Sequence, residues 1–172
     1  MSLDKREIEK LLQMLNSELG RDEVIGEIYL VGGAVMCLVL EARLATKDLD
    51  GYFAPTAKIR AAASRIAAKM QVQEDWLNDS VKGFLSSKGT FSQFLELSHL
   101  RVLTANPDYL LAMKCLAMRI GHEFHDIDDV RYLLRYLNIS KYDVALTVIA
   151  RYYPIEKFPQ KTLYVLEELL AP

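Results

Sequence analysis

Two aspartates one residue apart, Asp48 and Asp50, stand 15 residues after a glycine pair, Gly32-Gly33. The stretch reads IYLVGGAVMCLVLEARLATKDLDGYF from Ile28 to Phe53. In a strand, residues two apart share a face, so Asp48 and Asp50 would aim two carboxylates at one point. Like charges held that close are costly unless a cation sits between them. Mg²⁺ prefers hard oxygen ligands, and two carboxylates plus nucleotide phosphates complete its shell. Gly32-Gly33, between an apolar run and a helical pattern, would bring backbone N–H groups up to the phosphates. The competing possibilities are a tight strand–helix turn without a ligand and a solvated strand edge. A second such pair, Asp126-Ile127-Asp128, lies in a helical pattern, where residues two apart do not share a face. The first pair is therefore the metal candidate.

The elements that position these residues follow from periodicity. Apolar residues at Ile8, Leu11, Leu12, Leu15 and Leu19 predict a helix over Asp4–Leu19, capped by Asp4 and stopped by Gly20. Glu27–Val31 reads as a strand, Ala34–Arg43 as a helix, Lys47–Phe53 as a second strand, and Thr56–Met70 as a helix. Trp76–Leu85 reads as a short helix or turn. Phe91–Leu97 and Leu100–Thr104 read as strands around Ser98-His99. Asn106-Pro107 is a helix-start signal. Helices are then expected over Tyr109–Ile120, His125–Leu137, Lys141–Tyr153 and Pro159–Leu170. The pattern gives an α+β chain, with an α/β domain over residues 1–105 and a helical domain over 106–172. Too few strand–helix–strand units are present for a dinucleotide-binding fold, and VGGAV is neither of the familiar phosphate-loop patterns.

Composition narrows the class. The chain has 172 residues, 51% of them hydrophobic and 26% charged, which suits a packed core and argues against disorder. A net charge of −2 supplies no global field for nucleic acid. Cys37 and Cys115 lie in apolar helical patterns and read as buried thiols. No leader pattern and no apolar run of bilayer length is present, so a cytoplasmic protein without a membrane partner is expected.

The glycine pair, the helix after it, and Arg43 with Thr46-Lys47-Asp48-Leu49-Asp50 resemble the nucleotidyltransferase superfamily, with its polymerase-beta-like fold. The bacterial branch with abortive-infection and toxin–antitoxin nucleotidyltransferases is the most similar. Its later helix pattern resembles Leu110-Leu111-Ala112-Met113-Lys114, with Arg119, Asp126 and Asp129 downstream. The resemblance covers two separated blocks and leaves out the helices after Leu137. It implies a small nucleotidyltransferase-like mixed sheet with flanking helices, followed by a helical domain. It implies that Gly32 and Gly33 hold nucleotide phosphates, Asp48 and Asp50 bind Mg²⁺, Lys114 touches the triphosphate, and Asp126 completes the nucleotide pocket. The activity implied is transfer of a nucleotidyl group from a nucleoside triphosphate to an RNA or protein hydroxyl, in a system with a cognate antitoxin or other partner protein.

Superfamily members usually carry a third carboxylate on a later strand. Glu96, in Phe94-Leu95-Glu96-Leu97, is the comparable residue here, and Asp79 is a second candidate outside a strand. Without such a group the chain would be a degenerate member that binds nucleotide or a partner protein. Lys114, in the apolar run YLLAMKCLAM, needs either an exit to solvent or an anionic partner. The cluster His122-Glu123-Phe124-His125-Asp126 admits a further alternative, a His-Asp metal phosphohydrolase drawing on His99 and Asp143. A polar helix start explains the same residues. Tyr132, Tyr136, Tyr142, Tyr152 and Tyr153 read as helix packing.

Overall fold

The computed structural model describes residues 2–121 and 124–172. The elements run β1 (Leu3–Asp4), α1 (Lys5–Arg21), β2 (Gly26–Val31), α2 (Gly32–Leu38), β3 (Ala45–Thr46), β4 (Leu49–Ala54), α3 (Thr56–Met70), β5 (Leu77–Asn78), β6 (Phe91–Glu96), β7 (Leu100–Ala105), α4 (Pro107–Leu116), α5 (Asp126–Tyr136), α6 (Tyr142–Ile149) and α7 (Gln160–Leu169). The protein is an α+β chain with a helical C-terminal portion. Among the described residues, no helix is long and apolar enough to cross a membrane. Two compact units form. The first holds residues 2–83 and Phe91–Ala105; the second holds Phe84–Thr90 and Asn106–Pro172.

In the first unit, Asp4 caps α1 as its spacing predicts. Its carboxylate accepts from the Glu7 N–H at 2.8 Å, and the Glu7 carboxylate accepts from the Asp4 N–H at 2.8 Å. Ile8, Leu11, Leu12, Leu15 and Leu19 are all buried. Gly20 does not end the helix, which runs on to Arg21. Its missing side chain instead makes room for the His99 ring, whose Nδ1 would lie 3.2 Å from a methyl there.

The main sheet has strand order β5-β4-β2-β7-β6. β2 pairs antiparallel with β4 and parallel with β7. β5 runs parallel to β4, and β6 antiparallel to β7. A small separate sheet pairs β1 with β3. Strand alternation divides the side chains into two sets. Ile28, Leu30, Leu49, Phe53, Leu100 and Val102 are buried, and Gly26 on the same face abuts Leu19 of α1 and Ile59 of α3. The opposite face carries Glu27, Tyr29, Asp50, Tyr52 and Arg101, none of them buried.

Three strands, β1, β3 and β5, escape the sequence pattern because two-residue strands carry no periodicity. The short helix or turn expected over Trp76–Leu85 is the 3₁₀ turn Ser80–Phe84, preceded by the short strand β5. Trp76 anchors that corner: it is buried and its indole N–H donates to the Ala63 carbonyl at 3.0 Å. Helix α2 is seven residues long and stops at Leu38, short of the predicted Arg43. The chain turns there, with Glu41 at φ 52°.

In the second unit, Phe84–Thr90 packs on the helices rather than with the sheet domain in which its sequence position places it. The Ser86 N–H donates to the Tyr109 hydroxyl at 2.9 Å, and the Asn106 N–H to the Thr90 carbonyl at 2.9 Å. The helices α4, α5, α6 and α7 enclose Leu110, Leu111, Val130, Leu133, Ala145, Ile149 and Leu166. Burial pushes the Cys115 thiol up to about 12, in keeping with a packed, unreactive cysteine.

Gly51 fixes the β2–β4 contact. A methyl at this position would lie 2.5 Å from the backbone carbonyl oxygen of Tyr29. The strands would have to part to admit it. Gly51→Ala should therefore destabilise the chain by about 1–3 kcal/mol, the range for overpacking. Urea denaturation of the full chain measures this, and a variant as stable as wild type would refute the constraint.

Candidate functional site

Antiparallel pairing of β2 with β4 sets Val31 opposite Asp50. The next residue after Val31 is Gly32, so the glycine turn arises beside the second aspartate. Gly32 has φ 64°, a left-handed conformation that favours glycine. A methyl on it would approach the Asp50 carboxylate to 3.4 Å. Gly33 lacks room for a different reason. A methyl there would sit 2.7 Å from the Thr46 hydroxyl and 3.3 Å from Arg43 Nη1. Thr46 is buried, and its hydroxyl donates to the Asp48 carbonyl at 3.2 Å. Arg43, Thr46 and Asp50 thus gather around the glycine pair, and the Asp48 backbone adjoins them through Thr46.

Asp48 and Asp50 are both partly buried. Burial lifts the Asp48 carboxyl above the ordinary aspartate range, and the charges of Asp50 and then Asp75 lift it further. An Asn78 hydrogen bond and Lys47 act in the opposite direction without cancelling the effect. The donor is the Asn78 side-chain amide, 3.4 Å from Asp48. Two partly buried carboxylates, Asp48 and Asp50, thus lie near each other, and carboxylates are hard oxygen donors. That combination fits a divalent cation such as Mg²⁺. Asn78 also occupies the register position beside Asp50 on the neighbouring strand.

Glu96 belongs to the correct face but not to this site. A bulge between Gln93 and Leu95 sets Glu96 opposite Arg101, on the same face as Asp50. The β6 strand is three strands from β4, roughly 14 Å at normal strand spacing. Glu96 also lies in the row of Glu27, four residues from the row of Val31, which adds about 13 Å along the strands. Its exposed carboxylate accepts from Gln93 at 2.9 Å and lies 3.5 Å from Arg101. The expectation that Glu96 serves as the third carboxylate is thereby corrected. Asp79 is likewise engaged: Arg60 at 2.9 Å and Lys82 at 2.6 Å hold it.

In the helical unit, Lys114 finds the anionic partner that its apolar surroundings demand. Its Nζ lies 2.7 Å from Asp129 and 3.5 Å from Asp126. Asp126 also accepts from the backbone N–H and Nε of Arg119, at 3.0 and 2.9 Å. Burial works against the Asp126 carboxylate, but these bonds and Lys114 outweigh it and hold the carboxyl below its usual range. Two cations so close oppose a metal at Asp126. His125 is an exposed N-cap of α5, while His122 and Glu123 lie outside the described residues. Asp126 is buried and Asp128 exposed, so this second pair does not converge. Among the described residues, no three His, Cys, Asp or Glu side chains cluster as a metal site.

Comparison with known proteins gives no match: no family model, no curated protein and no solved structure is similar to the chain.

Two outcomes test the helical ion cluster. Lys114→Met leaves two buried carboxylates short of a partner and should cost about 3–5 kcal/mol in chemical denaturation. Adding Asp129→Asn should recover part of that loss; no recovery would separate the two residues energetically. Asp126 titrates lower in the folded chain than the roughly 3.9 of an unfolded aspartate. Its stabilisation is complete above that value and lost as pH falls through the folded pKa. Stability should therefore fall less steeply below about pH 4 in Asp126→Asn than in wild type. Parallel curves would contradict this.

Proposed function

We propose that this protein is a Mg²⁺-dependent nucleotidyltransferase that moves a nucleotidyl group from a nucleoside triphosphate to an RNA or protein hydroxyl. The observation that carries this is the Asp50 carboxylate beside the left-handed Gly32, with Asp48 near enough to Asp50 for the Asp50 charge to raise its carboxyl. Asp48 and Asp50 would hold the cation near the Gly32 turn, where Asp50 lies on the sheet face turned away from α1 and α3. Gly32 and Gly33, without side chains, let the triphosphate approach the backbone. A bound Mg²⁺ would neutralise phosphate charge and align the attacking and leaving oxygens. Lys114 and Asp126 have their charges matched by neighbours in the helical unit, so the proposed site rests on the sheet unit alone. The acceptor is a hydroxyl of an RNA or of a cognate partner protein, in a toxin–antitoxin-type pair.

A second reading has its own support. Asn78, rather than a carboxylate, neighbours Asp50 on β5, and an amide is not a base. Glu96 is remote. Such a site would bind Mg²⁺-nucleotide without transferring it efficiently, acting as a nucleotide-dependent partner for another protein.

Calorimetry with Mg²⁺ and a nonhydrolysable nucleoside triphosphate separates these outcomes from no function at all. Wild type should bind only with the metal, and Asp48→Asn with Asp50→Asn should abolish binding while the fold persists. Undiminished metal-dependent binding in the folded double variant would sink the metal site. Incubation with labelled nucleoside triphosphates and an RNA or protein extract then distinguishes transfer from binding alone.

A further inference from the structure

The sheet face turned away from α1 and α3 carries an aromatic group near Asp50. Tyr52 follows Asp50 by two residues on β4, so both side chains rise from one face, about 6.6 Å apart along the strand. Tyr52 pairs in register with Tyr29 on β2. Their ring centroids are 6.0 Å apart with planes tilted by 43°. Phe91 stands edge-on to Tyr29 at 5.0 Å. The Tyr29 hydroxyl donates to the Glu27 carboxylate, and Glu27 in turn pairs with Arg101 at 3.2 Å. That chain of contacts fixes the Tyr29 ring in place. Tyr52 is left 39% exposed on that face. Lys82 Nζ lies 5.8 Å from its centroid.

We propose that Tyr52, backed by Tyr29, is the stacking platform for the nucleobase of a nucleoside triphosphate held at Asp48 and Asp50. The inference rests on the metal-site reading above. The ring stands two positions along the strand from the carboxylate, and a ribose bridges a similar gap between a base and its 5′-phosphate. A phenol ring offers a π-face to any base, so the platform stacks without reading base identity. Charge selects a mononucleotide over a longer strand as the occupant. Beyond Tyr29 the face continues into the row of Glu27, Arg101 and Glu96, with two acids to one base. A polyanionic strand running across that row would meet net repulsion, whereas a single nucleotide ends at the rings.

Calorimetry on the full chain with Mg²⁺ tests the platform with three probes: a nonhydrolysable ATP analogue, inorganic tripolyphosphate and a short single-stranded oligonucleotide. Tyr52→Leu should weaken the ATP analogue roughly ten- to a hundredfold and leave tripolyphosphate unchanged. Tyr52→Phe, which keeps the ring, should bind both probes like wild type. If tripolyphosphate binds and Tyr52→Leu leaves the ATP analogue untouched, the metal site stands and the platform is rejected. Equal losses for both probes in Tyr52→Leu would make the residue structural and reject the platform too. Oligonucleotide binding that needs no Mg²⁺ and vanishes in Tyr52→Leu would replace the nucleotide with a strand. Failure of wild type to bind either phosphate probe would overturn the metal site and the platform together.

Discussion

The antiparallel register of β2 on β4 is the constraint from which the candidate site derives. Val31 opposite Asp50 places the end of one strand beside the start of the other. The glycine turn therefore begins where the second aspartate projects. Gly51 allows the strands to come together, since its absent side chain is what lets the Tyr29 carbonyl approach. Moving the register by one residue would send Asp50 and Tyr52 into the apolar layer and bring Leu49 and Phe53 to the surface. The buried set on that side, Leu49, Phe53, Ile28 and Leu30, makes such a slip expensive. Hydrophobic burial under α1 and α3 thus fixes polar geometry on the opposite face.

The two units treat charge in opposite ways. In the helical unit the buried charges Asp126 and Asp129 have close partners: both with Lys114, and Asp126 also with Arg119. Such a closed set tolerates burial because attraction offsets desolvation. In the sheet unit Asp48 is raised by burial and by two other carboxylates, while the Asn78 amide donates to it. That imbalance is what an incoming cation could relieve. Perturbed carboxylates also occur in purely structural networks, so the imbalance points to function only together with the glycine turn it adjoins.

Periodicity alone determined the amphipathic helices, the four longer strands and the Asp4 cap, because each is written in local spacing or in a capping residue. The convergence of Gly32 with Asp50 was legible for the same reason: one strand, one turn and one return strand leave little choice of geometry. That Lys114 needs an exit to solvent or an anionic partner was also legible, since an apolar run surrounds it, but which of these it takes was not. Asp129 is chosen by how α5 packs on α4, which no local pattern encodes. Glu96 shows the limit most clearly. Alternation gave its face, yet strand order and register put it three strands and four rows away. The aromatic pair Tyr29–Tyr52 escaped the sequence because neighbours across a sheet are distant along the chain. Sequence fixes which residues share an element's face; only tertiary pairing decides which elements meet, because long-range register is set by burial summed over the whole core.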